Sequence, residues 1–348
     1  MIRSIKKIFP VLIFFVLLLT VGCNSDQAVK PQQLTIAVQS LPNDESVARA
    51  WYEEELGKAL GFKVIMIQYD SSPLANSAMA TGNIDIALFG LPTAAIGISK
   101  NLPYEVFWIH NVEGDNECLV VKNSSNINSV AELRGRRIGV PFGSTTHYAL
   151  LNALQNVDLG ADDVILLDLQ PNELIDAWLD NQIDAAFVWQ PALDEISNDG
   201  RILINSRDLN EQGITTADVG VVNKDFARRH PEVVQKYVEL QARAYDLFKK
   251  DSRQAATLAS PHLKTSRNTA LKQMNELVWI APDDQISDRY LGTSEKKGQF
   301  AQALFKTARF LEHYDLLDRA ASLESFENAI NPSFAEAAAS KKAPNPTP

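Results

Sequence analysis

Three consecutive hydroxyl side chains, Ser144, Thr145 and Thr146, lie between a β-branched segment (137–140) and an apolar run at helical spacing (148–154). Serine and threonine ahead of such a run are typical helix N-caps. The first turn of a helix also carries unpaired N–H groups and the positive end of the helix dipole, which together suit an anion. The pattern therefore predicts an oxyanion site at this turn. A well-capped helix that binds nothing is the alternative.

Two carboxylates stand at the head of apolar strand segments. Glu117 precedes the apolar residues 119–121, and Asp218 precedes residues 219–222. Strand ends of an α/β sheet border the crevice where ligands bind. If both carboxylates reach a cleft that contains the three hydroxyls, the ligand is a zwitterion whose amine is held by charge-assisted hydrogen bonds. Pairing with an arginine or capping a turn is the structural alternative for each of them.

Motifs for catalysis are missing from the sequence. It contains no GxSxG elbow, no GxxxxGK[ST] phosphate loop and no GxGxxG after a strand. The histidines are far apart, without HExxH or Cys/His pairing, so no motif predicts a metal site. Ser144 and His147 could form half of a hydrolase dyad, which would need a third group. We therefore predict a binding protein rather than an enzyme, with no metal and no cofactor.

The composition is that of a globular protein of roughly two domains. The chain has 348 residues, is 45% hydrophobic and carries a net charge of −10. No dense Lys/Arg block follows the N-terminus, which argues against a nucleic-acid partner. Residues 1–22 combine a basic start with an apolar run too short to span a membrane comfortably, and this pattern predicts a signal peptide.

Cys23 directly follows this signal, and the segment 19–23 resembles a bacterial lipobox. We expect Cys23 to be lipidated and residues 23–33 to be its polar tether. Cys118 would then be the sole free thiol, so no internal disulfide is expected. The predicted location is extracytoplasmic, with the lipid on Cys23 as membrane anchor. An ordinary signal peptide with an incidental cysteine is the alternative.

Strand and helix patterns alternate twice after the tether. This alternation predicts two α/β lobes with mainly parallel sheets, lobe one over residues 34–122 and lobe two over residues 123–222. A short internal echo supports the duplication, because residues 79–89 and 179–187 both read as a helix end that turns into an Ile-Asp strand.

The last third of the sequence has a different character. Residues 223–330 are nearly all helical in pattern, including one predicted helix at 265–280, and they are expected to return to lobe one. Residues 331–348 are biased toward Ala, Lys and Pro, which predicts a disordered tail.

Five segments also carry a family resemblance: VPFGSTTHYALLNAL (140–154), LQPNELIDAW (169–178), IDAAFVWQPAL (183–193), ADVGVV (217–222) and KDFARRHPEVV (224–234). They resemble the taurine-binding proteins of bacterial sulfonate ABC importers, within the larger aliphatic sulfonate and nitrate binding group. The resemblance covers residue 34 to about residue 326. It implies a type II periplasmic-binding fold, with two lobes, hinge strands near residues 121–123 and 222–224, and a helical C-terminal third on lobe one.

Roles for individual residues follow from this resemblance. The three hydroxyls would cradle a sulfonate, Asp218 and Glu117 would hold the amine, and the remaining pocket residues would be Gln39, His147 and Trp189. In one place the sequence departs from the family. Relatives usually carry Gly-Ser-Ser-Pro where this chain has Gly-Leu-Pro-Thr (90–93), so a lobe-one hydroxyl is lost or has moved to Thr93.

The function implied is that of a monomeric receptor that delivers a small sulfonate, taurine first, to an ABC permease and its ATPase. It would act by binding and lobe closure, without chemistry. A receptor for an alkanesulfonate, nitrate or another small oxyanion is the alternative within this class. A lipoprotein hydrolase that uses Ser144 and His147 is the remote alternative.

Overall fold

Two β-sheets organise the chain, and the computed structural model describes residues 32–341. The expected signal peptide, the lipidation site at Cys23 and most of the tether lie outside the described residues. Within the described part, every helix is too short or too polar to cross a membrane. In chain order the strands are β1 (Gln32–Val38), β2 (Phe62–Gln68), β3 (Ile86–Gly90), β4 (Tyr104–Val112), β5 (Glu117–Lys122), β6 (Arg137–Val140), β7 (Ile165–Asp168), β8 (Ala185–Trp189), β9 (Gly200–Asn205), β10 (Ala217–Asn223) and β11 (Val278–Trp279).

Helices surround both sheets. They are α1 (Asp44–Tyr52), α2 (Ser72–Ala80), α3 (Leu91–Ser99), α4 (Thr145–Gln155), α5 (Pro171–Leu179), α6 (Ala192–Ser197), α7 (Ser206–Glu211), α8 (Lys224–Arg229), α9 (Pro231–Lys250), α10 (Ser252–Leu263), α11 (Arg267–Asn275), α12 (Pro282–Gln285), α13 (Phe300–His313), α14 (Leu323–Asn328) and α15 (Ser333–Ser340). Helix α1 continues into a π-helical turn, Glu53–Lys58.

Without the short edge strand β11, the two sheets have the same topology. The first has the order β11–β4–β10–β3–β1–β2, and the second has the order β7–β6–β8–β5–β9. In the first sheet β10 is antiparallel to both neighbours, and in the second sheet β5 is antiparallel to both neighbours. Apart from these inserted strands and the short β11, the strands of each sheet run in one direction. The prediction of two α/β lobes is thus confirmed. The two similar segments, 79–89 and 179–187, lead into β3 and β8, which occupy equivalent positions in the two sheets.

The inserted strands correct the predicted lobe boundaries. Strand β5 was expected to close lobe one, but it pairs with β8 and β9 of the second sheet. Strand β10 was expected to close lobe two, but it pairs with β3 and β4 of the first sheet. The chain therefore crosses between the lobes at 113–116 and 212–216, one strand earlier than the expected hinges near 121–123 and 222–224. Both β5 and β10 are apolar and buried, as a central strand of either sheet would be. Their own sequences therefore do not reveal which strands they pair with.

The two connections run side by side, since the N–H of Glu113 donates to the carbonyl of Thr216 at 3.0 Å. A third segment covers them: the N–H of Asp115 donates to the carbonyl of Glu276 at 2.8 Å. Gly114 is required at this contact, because a Cβ there would lie 2.2 Å from the same carbonyl oxygen. The crossing is therefore held in a defined geometry next to the strand ends that border the cleft.

Burial explains which elements the sequence forms. All residues of β3 and β8 are buried, as expected for central strands covered by helices on both faces. One face of the second sheet packs against α4 and α7, and the other packs against α5 and α6. The first sheet shares a single core with the helices after β10; in particular, α9 packs on α1 and α13 packs on α3.

Two details of the C-terminal third differ from the predictions. The helix expected at 265–280 ends at Asn275, because Val278 and Trp279 form β11 and pair with the edge of β4. The expected disordered tail is wrong for the described part of it, since Ser333–Ser340 forms α15. Phe334 is buried and packs edge-on against Phe107, with ring centroids 6.3 Å apart. Buried Ala335 and a hydrogen bond from Gln235 to the Phe334 carbonyl add to this aromatic anchor, and together they order the segment.

We expect Phe334→Ala to destabilise the protein by about 3 kcal/mol, because it removes a buried ring and leaves a cavity. The measurement is urea-induced unfolding. The exposed residue Ser340, on the same helix, provides the control Ser340→Ala, which should change the unfolding free energy by no more than about 0.5 kcal/mol. An unchanged midpoint for Phe334→Ala would show that α15 contributes nothing to the fold.

Candidate functional site

A small cavity lies between the two sheets, at the point where the chain crosses from one lobe to the other. Both lobes line it. Its lining residues are Gln39, Leu41, Ser72, Glu113, Asn116, Glu117, Ser144, Thr145, Trp189 and Asp218. Six of the nine predicted ligand-binding residues are among them; the exceptions are Thr93, Thr146 and His147. The strand ends that carry Glu117 and Asp218 therefore border this cavity, together with the start of α4.

The hydroxyl turn, Ser144–Thr146, forms the lobe-two wall. Ser144 is the N-cap of α4, and its Oγ accepts the N–H of His147 at 3.2 Å and donates to the carbonyl of Pro141 at 2.5 Å. The N–H groups of Thr145 and Thr146 belong to the first helical turn, so helix geometry gives them no carbonyl partner. This is the amide and dipole arrangement that binds oxyanions.

Lobe one approaches the hydroxyl turn closely. A Cβ on Gly90 would lie 2.9 Å from Cγ2 of Thr145, so a larger residue at position 90 would push the lobes apart. Thr93 makes a second contact between the lobes, because its Oγ1 donates to the carbonyl of Gly143 at 3.0 Å. The structure therefore places the Thr93 hydroxyl on the opposite lobe rather than in the cavity. Gly143 itself has φ +77°, which favours glycine at this turn.

Thr146 and His147 support the turn from behind. Thr146 is fully buried, and its Oγ1 lies 2.9 Å from Oγ of Ser144. The ring of His147 stacks on Phe142 with centroids 4.4 Å apart, and its Nδ1 accepts the N–H of Gly143 at 3.1 Å. Burial lowers the pKa of His147 to about 4, so the ring is neutral near pH 7 and can accept this hydrogen bond.

The same contacts argue against the Ser/His dyad. The Ser144 proton points to the carbonyl of Pro141, and the Nδ1 lone pair of His147 is used by Gly143. A nucleophile needs a base within hydrogen-bond reach of its own proton. In this structure Ser144 has none, so the two residues cap a helix and order its first turn.

A serine of lobe one, Ser72, lines the cavity, whereas Thr93, where a lobe-one hydroxyl was expected, does not. Ser72 begins α2, accepts the N–H of Gly90 at 2.9 Å and accepts Nε2 of Gln39 at 3.1 Å. Gln39 also donates to the carbonyl of Leu88 at 3.0 Å. Ser72 was missed as a site residue because Ser71-Ser72-Pro73 reads as an ordinary helix start. A hydroxyl at a helix start is nevertheless the same signal that identified Ser144.

The polar wall facing the hydroxyl turn is an acid cluster of Glu113, Glu117 and Asp218. Oε2 of Glu117 accepts the hydroxyl of Ser206 at 2.8 Å, and Oε1 accepts the hydroxyl of Thr145. Burial raises the pKa of Glu117 to about 8, and the nearby Asp218 adds to this effect. Burial, followed by the charge of Glu113, also raises the pKa of Asp218 well above its ordinary value.

Glu113 and Asn116 are site residues that the sequence analysis missed. They lie in the first connection between the lobes, where Gly114-Asp115-Asn116 reads as a surface turn. Nδ2 of Asn116 donates to Oε2 of Glu113 at 2.6 Å. Glu113 directly follows the apolar strand β4, so the strand-end argument that was applied to Glu117 and Asp218 would have found it too.

The remaining wall is apolar. Trp189 ends β8 opposite Glu117 and forms a small buried cluster with Leu41 and Leu88. Within residues 32–341, His, Cys, Asp and Glu side chains form no cluster of three suited to hold a metal ion. The cavity thus offers backbone and hydroxyl groups for an anion, an acid cluster for a cation, and an apolar side for a short hydrocarbon link.

Comparisons with known proteins agree with this description. Residues 48–255 match the family described as NMT1/THI5 like, and the chain belongs to this family. It is 32% identical over 288 residues to the taurine-binding periplasmic protein of Escherichia coli strain K12, which covers 80% of this chain and 86% of that protein.

Solved structures share the fold. The periplasmic aliphatic sulphonate binding protein SsuA from Escherichia coli superposes with a TM-score of 0.70 at 18% identity, over 87% of this chain and 93% of that one. This confirms the predicted type II periplasmic-binding fold. The desulfurization enzyme DSZB also shares it, with a TM-score of 0.62 at 18% identity, over 90% of this chain and 100% of that one. The fold therefore serves binding proteins and at least one enzyme.

The depressed pKa of His147 predicts a pH dependence of stability. Below pH 6.5 the unfolded chain takes up a proton on His147 that the folded protein takes up only near pH 4. The contribution of His147 to the free energy of unfolding, about 3 kcal/mol, is therefore fully present above pH 6.5 and is lost as the pH falls toward 4. In urea unfolding at pH 6.5, 5.5 and 4.5, His147→Gln should remove this part of the slope. His313→Gln, at an exposed position on α13, should leave it unchanged.

Proposed function

We propose that this chain is the extracytoplasmic solute receptor of an ABC importer and that it binds taurine, or a closely related aminoalkanesulfonate, between its two lobes. The observation that carries the proposal is the cavity itself, where the hydroxyl turn at the start of α4 faces the buried acid cluster. The identity to the taurine-binding relative, over most of both chains, supports the choice of ligand.

The anionic end of the ligand belongs at the hydroxyl turn. A sulfonate carries its charge on three oxygens, and the amides of Thr145 and Thr146 can donate to them together with the dipole of α4. Gln39 and Ser72 complete this end from lobe one. Both lobes then hold the same group, which stabilises the closed arrangement that also includes the bond from Thr93 to Gly143.

The cationic end belongs at the acid cluster. An ammonium group donates up to three hydrogen bonds, and Glu113, Glu117 and Asp218 offer buried carboxylate acceptors. Trp189 and Leu41 border the space between the two ends, which suits a short methylene link. A simple alkanesulfonate or nitrate would leave the acids without a partner, and they would repel its charge.

Delivery to a permease and its ATPase, with no chemistry on the ligand, completes the proposal. The hydrogen bonds of Ser144 and His147 support binding rather than hydrolysis. For the N-terminal region we propose a signal peptide at 1–22, a lipid on Cys23 and a tether, so that the receptor stays at the membrane surface. These assignments rest on the sequence pattern alone.

The ligand assignment is tested with taurine and 2-hydroxyethanesulfonate, which differ only in an ammonium or a hydroxyl group. Taurine at 100 times its Kd should stabilise the protein by about 2.7 kcal/mol, measured as a raised unfolding midpoint. Asp218→Asn should weaken taurine about 30-fold or more, because it removes one partner of a buried charge pair. The exposed Asp225→Asn is the matched control. Equal affinity for both sulfonates would contradict the proposed amine site.

The contact between lobes at Thr93 predicts a second effect on affinity. Thr93→Val keeps the shape of the side chain but removes the hydrogen bond to Gly143, which is worth about 1 kcal/mol. We expect roughly a fivefold rise in the Kd for taurine, measured by calorimetry. Thr93→Ser retains the hydroxyl and should bind nearly as well as the wild type. An effect of Ser as large as that of Val would show that packing, not the hydrogen bond, matters.

A further inference from the structure

Two members of the acid cluster share one wall of the cavity. Glu113 follows β4, and Asp218 on β10 is the register partner of Asn111 on β4, so the two carboxyl groups belong to neighbouring strands. Two carboxylates that share a buried site cannot both ionise without a large cost, so one of them is expected to be protonated. Both side chains are buried and both line the cavity. The pair therefore places an exchangeable proton at the wall where the ligand binds.

Neighbouring amides orient one member of this pair. Nδ2 of Asn111 donates to Oε1 of Glu113 at 3.0 Å, and Nδ2 of Asn116 donates to Oε2 at 2.6 Å. Burial, with a further contribution from the charge of Glu117, raises the pKa of Glu113 to about 8. Two amide side chains thus orient Glu113 in the cavity wall that it shares with Asp218, in a site where full ionisation of both carboxyls is unfavourable.

One positively charged group acts on the pair, because the charge of His110 lowers the pKa of Asp218. Burial alone lowers the pKa of His110 on β4, but Asp44, Glu45 and Asp218 raise it on balance, and Nδ1 of His110 lies 2.6 Å from Oδ1 of Asp44. The other charged groups nearby are Arg49, paired with Glu45 on α1; Glu117 on β5; Asp115, paired with Arg207; and Glu276 after α11. Among the described residues, Lys and Arg side chains form no ion pair with the acid cluster.

We propose that Glu113 and Asp218 share one proton in the ligand-free site, and that the ammonium group of the ligand replaces this proton, so that binding releases one proton to solvent. The inference rests on the proposed function. The ligand keeps all its covalent bonds and its three ammonium protons, which donate to the carboxylates. The shared proton leaves to bulk water, and the two carboxylates remain ionised beside the ammonium. Glu113 is thereby a ligand-binding residue that selects for a cationic group.

A linked proton makes affinity depend on pH in a defined direction. Where the free site is protonated and the bound site is not, affinity rises about tenfold per pH unit. We expect this rise for taurine at pH values below the raised pKa of the pair, and a plateau above it. In Glu113→Gln the new amide donates to Asp218 without a shared proton, so the slope should disappear. Binding of 2-hydroxyethanesulfonate should not release the proton.

The experiment is calorimetric titration of the protein with taurine at pH 7 in phosphate and in Tris, whose ionisation enthalpies differ. A released proton makes the observed heats differ by that enthalpy, and we expect about one proton for the wild type and none for Glu113→Gln. Glu295→Gln, at an exposed position, is the matched control and should behave as the wild type. Equal heats in the two buffers would overturn the inference and leave the proposed function intact.

A second measurement separates the inference from the proposed function. If taurine does not bind, the proposed function fails, and the shared proton is then read in the ligand-free protein. The infrared carbonyl band of protonated carboxyls should be present at pH 7, weaken as the pH rises through the raised pKa values and lose intensity in Glu113→Gln; Glu117→Gln identifies the part of the band that belongs to Glu117. A wild-type spectrum without this band overturns the shared proton.

Discussion

The exchange of one strand between the two sheets is the constraint on which the rest of this structure depends. Because β5 completes the second sheet and β10 completes the first, the chain must cross between the lobes twice, immediately before each inserted strand. The side chains at these crossings are forced to the boundary between the lobes. Glu113 and Glu117 flank the first crossing and Asp218 follows the second, so the acid cluster is a direct product of the topology.

Electrostatics determines which charged groups of a ligand this arrangement favours. Carboxylates are rarely buried without a partner, since removal of a charge from water is costly. Here the cost is reduced by hydroxyl and amide donors from Thr145, Ser206 and Asn116 and by the raised pKa values, which keep part of the cluster protonated. An unpaired cluster of this kind is complementary to a cation. The start of α4, which touches the cluster through the Thr145 hydroxyl, is complementary to an anion.

The sequence predicted the elements and part of the site but not the pairing of the inserted strands. Local patterns located the hydroxyl turn, Glu117, Asp218 and Trp189, because helix caps and strand ends are properties of short segments. The partners of β5 and β10 depend on contacts distant in the chain, so the hinges were placed one strand too late. Tertiary contacts also redirected the Thr93 hydroxyl to the opposite lobe, and burial of Phe334 ordered a segment that composition marks as disordered.

Ligand selection and lobe closure are two aspects of the same geometry. The hydroxyl turn belongs to the second sheet, whereas Asp218 belongs to the first, and Glu113 lies in the connection between them. An anion alone can reach the start of α4 in lobe two and Gln39 and Ser72 in lobe one. A molecule that also presents a cation at the right separation adds a contact with Asp218 of the first sheet, so it makes more contacts that join the lobes. Because a ligand shifts an equilibrium only through its differential affinity for the two states, closure should be stabilised most by a zwitterion.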